Sequence, residues 1–137
     1  MNRNRTLMVL TLAMLVVTAF SVNAIAADKM AMHTSTQFQG PKANTGTVSH
    51  SKRNGQNVLT LSEDFVVPDT PDPHWQVVDS AGMTYRLDKL KVKGLVGDNV
   101  KREIVVPGYI KDVVKVQIYC AWAETNLGEA SFSSPAK

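Results

Sequence analysis

The chain has a single cysteine, Cys120. That excludes an internal disulfide, a C-x-x-C dithiol and a C-x-x-C-H attachment for c-type haem. It has three histidines, His33, His50 and His74, and none stands in an H-E-x-x-H pair. G-x-S-x-G and a phosphate-binding glycine loop are also absent. A blue-copper centre needs two histidines and a cysteine, usually with an axial methionine. In the cupredoxin order a histidine and the methionine follow the cysteine closely, and neither residue occurs after Cys120. The sequence therefore contains no complete catalytic motif and specifies no cofactor. It also lacks the clustered basic face of a nucleic-acid binder. Lys89, Lys91 and Lys93 alternate, as on the wet side of a strand.

Long apolar runs are missing too, except at the start. Arg3 and Arg5 precede an apolar stretch from Leu7 to Phe20, and Ala24-Ile25-Ala26 follows. That order of charge, apolar segment and small residues is a secretory signal peptide, expected over residues 1–26 with a cut after Ala26. The stretch is shorter than the ~20 residues that span a bilayer, and no later segment reaches that length. Cleavage leaves 111 of the 137 residues, one domain's worth. Arg3 and Arg5 leave with the peptide, so the remaining lysines and arginines nearly balance the 12 carboxylates. The expected location is extracytoplasmic, periplasmic or secreted, with no membrane span after cleavage.

Residues 27–42 are polar and methionine-rich, and a flexible lead-in is expected there. A single domain is expected over residues 43–133. Short runs rich in valine, isoleucine, threonine and tyrosine alternate there with turn residues. Thr47 to Ser51 and Asn57 to Leu61 flank Arg53-Asn54-Gly55, a hairpin turn in which Asn-Gly tolerates positive φ. Pro68, Pro71 and Pro73 form a corner that breaks any ladder, since proline has no N–H. Strands are expected over 74–78, 84–87, 89–93 and 102–106, with a loop over 94–99. Val113 to Trp122 alternates most clearly, placing Val114, Val116, Ile118, Cys120 and Trp122 on one face. A last short strand is expected over 127–132. The fold class is all-β: a single-domain antiparallel β-sandwich, barrel-like.

Cys120 is the first candidate for chemistry. A thiol is activated by nearby positive charge or aligned amides, and burial among apolar neighbours opposes this. Its strand face is apolar, so both an inert core cysteine and a redox thiol are open. Trp122, on the same face, would shield the sulfur or relay an electron. His74 and Trp75 follow the proline corner, with Asp69 and Asp72 close by. A histidine with carboxylates at the mouth of a sandwich suits proton transfer or a metal. Met30-x-Met32-His33 gathers soft donors of the kind that hold copper. His50 lies in a strand, structural or exposed.

Seven segments occur in order: Gly46-Thr47-Val48, Val58 to Phe65, Pro71 to Val77, Tyr85 to Leu90, Glu103 to Pro107, Val116 to Cys120 and Leu127 to Phe132. Together they resemble the DM-thirteen domain, a module proposed for electron transfer and often found beside DOMON domains. The resemblance covers residues 38–132. It implies a β-sandwich with one hallmark cysteine, here Cys120, acting as a free thiol or helping to hold a prosthetic group. It departs from the pattern at Thr70-Pro71-Asp72-Pro73-His74 and at Tyr119, where tryptophan is common. The expectation is a redox component with a partner protein in the cell envelope, with His74, Trp75, Asp72 and Trp122 supporting Cys120. The rival is a non-enzymatic binding module that uses a surface loop such as Val67 to Pro73.

Overall fold

The computed structural model describes residues 33–137. The signal peptide expected over 1–26, and Met30 and Met32, lie outside the described residues. The described residues form ten strands: β1 (His33–Thr34), β2 (Val48–Arg53), β3 (Gln56–Leu61), β4 (Pro73–Val78), β5 (Thr84–Lys89), β6 (Lys91–Gly94), β7 (Gly97–Val100), β8 (Glu103–Val105), β9 (Val113–Cys120) and β10 (Thr125–Ala136). They make two four-stranded antiparallel sheets, β1-β2-β3-β8 and β10-β9-β4-β5, and a separate hairpin β6-β7. The chain is all-β, as expected. The sheets stay two open layers and do not close into a barrel.

The core lies between the layers. Val48, Leu59, Leu61 and Ile104 enter it from the first sheet, and Trp75, Val77, Val116, Ile118, Ala130 and Phe132 from the second. Burying such side chains removes apolar area from water, about 25 cal/mol per Å². With no disulfide, that packing holds the layers together. The Asn54-Gly55 turn forms with φ of 50° and 77°, which sets β2 against β3 in unbroken register from Val48↔Leu61 to Arg53↔Gln56.

Four expectations differ from the structure. The flexible lead-in does not hold for residues 33–42. His33 and Thr34 pair with β2, Phe38 is fully buried, and the backbone of Thr36, Gln39 and Lys42 donates to Ser131, Glu129 and Leu127. The segment crosses from the first sheet to the edge of the second, where β10 is bare until it arrives. It lies so close that a Cβ on Gly128 would meet the Ala43 carbonyl oxygen at 2.0 Å, so only glycine fits at 128. The proline corner ends earlier than expected. Pro73 opens β4, a first position where its missing N–H is tolerated. The loop expected over 94–99 is the tip and one arm of the β6-β7 hairpin, and the last strand is longer than expected.

Candidate functional site

β9 ends at Cys120, which pairs with Pro73 on one side and Thr125 on the other. The chain then reverses through Ala121 to Glu124, with Glu124 at φ 50°. A reversal this tight turns successive N–H groups inward, the arrangement that makes a backbone nest for negative charge. The Ala123 amide favours the Cys120 thiolate most. Burial opposes it, and the amides of Asp72 and Trp122 and the Thr70 hydroxyl add to it. The net effect holds the thiol below its ordinary pKa. The Thr70 hydroxyl oxygen is buried and makes no aligned hydrogen bond, so the sulfur is the group it can serve on ionisation.

The sulfur is nevertheless enclosed: Cys120 is 1% exposed and belongs to the apolar core cluster. The Ala121 amide donates to the Asp72 carbonyl at 3.0 Å, and the Leu90 amide to the Pro73 carbonyl at 2.7 Å, which pins the proline corner over the end of β9. The corner also lines a cleft of about 710 Å³, with Asp69, Thr70, Asp72, Lys89, Lys91 and Lys93 among its walls. Thr70 and Asp72 thus face the cleft and also serve the sulfur.

The supporting residues divide between two faces. Trp75 is buried in the core, and its indole N–H donates to the Lys101 carbonyl at 2.8 Å. His74, one residue earlier, points to the opposite face by the strand's period of two. Its Nδ1 donates to the Leu87 carbonyl at 2.9 Å, and its Nε2 lies 3.2 Å from Asp72 Oδ1. Lys89 Nζ reaches the same carboxylate oxygen at 3.2 Å. Burial raises the Asp72 carboxyl, but Lys89 and His74 together outweigh it and the net shift is downward. Asp72 therefore joins the two faces, its side chain with His74 and its backbone with Cys120. His74 itself is not brought to the sulfur.

Trp122 is corrected. The strand ends at Cys120, so the alternation that would have placed Trp122 inward stops two residues short, and its side chain is 75% exposed in the turn. It contributes its amide to the thiol, not its ring. Thr70, Lys89 and the Ala123 amide carry no sequence signal of their own, because each reaches the site through a turn or a neighbouring strand. Among the described residues no group of three or more His, Cys, Asp or Glu side chains gathers as a metal site, and no helix is long and apolar enough to cross a membrane. No family model, no curated protein and no solved structure matches the chain.

Proposed function

We propose that this is an extracytoplasmic redox protein that acts through the Cys120 thiolate, in the manner of the DM-thirteen modules it resembles. The carrying observation is the set of backbone amides around the sulfur, led by Ala123, that lowers the thiol's pKa. Thiolates, not thiols, attack disulfides. In the step that fits a lone cysteine, the Cys120 thiolate attacks one sulfur of a disulfide on a partner protein. One S–S bond forms to Cys120, the partner's S–S bond breaks, and its second sulfur leaves as a thiolate. A thiolate outside this chain then attacks the mixed disulfide and releases Cys120, since no second cysteine exists here. Amides of Ala123, Trp122 and Asp72 hold the negative charge while it resides on Cys120. The proline corner must swing aside to admit the partner, which would approach through the cleft lined by Lys89, Lys91 and Lys93 together with Asp69, Asp72 and Asp98.

Alkylation of the native chain as a function of pH, with unfolded chain as control, tests this. The expected midpoint lies below the ~8.5 of a free thiol, with modification in the folded state. Absence of modification until unfolding would sink the proposal. Near-complete enclosure of Cys120 favours the second reading, a binding module with a packed cysteine, and that result would select it. The same shift predicts a stability effect. In the interval between the lowered pKa and the unfolded value the unfolded chain binds more protons, so stability rises with pH through that interval. Cys120→Ala removes the rise, and denaturant titrations across that range at several pH values read it.

A further inference from the structure

The turn that sets β2 against β3 also carries a pair of groups able to react with each other. Asn54 and Gly55 are both exposed, at φ 50° and 77°, the two left-handed residues of a type I′ hairpin. The ladder closes behind them at Arg53↔Gln56. Among the described residues nothing binds the Gly55 N–H or the Asn54 carboxamide. The surroundings are open as well: a Cβ on Gly55 would meet nothing within 4 Å. The amide nitrogen of one residue and the side-chain carbonyl carbon of the other are therefore neighbours that no contact holds apart.

Other asparagines in the domain are placed differently. Asn57 Oδ1 accepts from His50 Nε2 at 2.9 Å. Asn126 Oδ1 accepts from the Gly128 amide at 3.1 Å, and its Nδ2 donates to Glu129 at 3.3 Å. Those carboxamides are fixed in place. Asn44, Asn57, Asn99 and Asn126 are followed by Thr45, Val58, Val100 and Leu127. Such side chains crowd the backbone nitrogen that would have to attack, most of all where they branch at Cβ. Glycine has no Cβ and leaves that nitrogen bare.

We propose that Asn54 is a site of spontaneous covalent modification in the folded protein, an internal deamidation that ends in isoaspartate at the tip of β2-β3. The Gly55 nitrogen attacks Asn54 Cγ. The N–Cγ bond forms, the Cγ–Nδ2 bond breaks, and the Gly55 amide proton leaves with the amino group as ammonia. Water then opens the resulting succinimide at either carbonyl. Opening at Cγ gives aspartate. Opening at the main-chain carbonyl gives isoaspartate, whose backbone runs through Cβ and is one methylene longer. A two-residue turn cannot absorb that methylene and keep the Arg53↔Gln56 pairing. The product therefore frays the hairpin end where Arg53 holds Glu103 at 2.7 Å, and its new carboxylate competes with Glu103 for Arg53. Nothing in this reaction depends on Cys120, so it stands or falls independently of the thiol chemistry.

Peptide mapping by mass spectrometry of the folded chain, aged at mildly acidic and mildly alkaline pH, tests the proposal, with urea-unfolded chain as control. Asn54 should exchange its amide for an acid at least tenfold faster than Asn44, Asn57, Asn99 or Asn126. The rate should be higher at the alkaline pH, because the attacking amide must lose its proton, and isoaspartate should exceed aspartate. Gly55→Ala should slow the conversion more than tenfold. Because that variant strains the turn, Asn54→Gln is the second control: it must close a larger ring, and should stop the conversion over the same period with the circular dichroism unchanged. In the aged parent chain the amide resonances of Arg53, Gln56 and Glu103 should move while those of β9 stay. A folded chain that keeps Asn54 intact while the unfolded chain converts, conversion at Asn57 as fast as at Asn54, or Gly55→Ala converting at the parent rate overturns the proposal.

Discussion

Two hairpins in this domain share a plan and differ in fate. β2-β3 turns on Asn54-Gly55 and pairs six residues on each arm, and Val48, Leu59 and Leu61 from it enter the core. β6-β7 turns through Leu95 and Val96 between Gly94 and Gly97, pairs four residues on each arm, and joins neither large sheet. Its tip residues Leu95 and Val96 are fully exposed, and Val92 is half exposed. A lone two-stranded hairpin is marginal in water. The turn decides where a hairpin bends, while a neighbouring sheet decides whether it is stable.

Substitutions sharpen that contrast. Leu59→Ala, beneath the first hairpin, is expected to cost about 2–5 kcal/mol by leaving a cavity in the core, read by denaturant unfolding. Gly55→Ala is expected to cost roughly 1–2 kcal/mol. Space is open around it, and the penalty is the left-handed backbone at φ 77°. Gly97→Ala imposes a comparable or larger local strain at φ 130°, yet global stability should change by less than ~0.5 kcal/mol. Amide exchange should show the β6-β7 protons released alone. A global loss as large as that of Gly55→Ala would instead place β6-β7 in the same cooperative unit as the sandwich. Smallest of all, Leu95→Ser should leave the unfolding midpoint unchanged within error.

Legibility followed the same division. The β2-β3 hairpin was readable because Asn-Gly and alternating side chains agree. The inward face of β9 was readable from Val116, Ile118 and Cys120. Residues 97–99 read as loop because glycine, aspartate and asparagine carry no strand preference and no buried face to mark them. Phe38 was lost in a polar stretch, since one aromatic has no period. The thiol's environment was invisible for another reason. Ala123 and Trp122 act through their amides, which every residue has, and Asp72 reaches the sulfur from the corner before β4, more than forty residues away in sequence. The pairing of His33 with His50 is likewise a product of register, which no local pattern states.

The segment that crosses from β1 to β10 has a consequence in time. Thr36, Gln39 and Lys42 are made before β2, and their partners Ser131, Glu129 and Leu127 only after β9. Contacts so distant along the chain close late, because the loop between them must be ordered first. A chain still emerging from the ribosome cannot finish this fold, whatever its other strands have done. On the proposed export route, through a membrane pore that admits unfolded chain, that delay would keep the polypeptide transportable until β10 has been released.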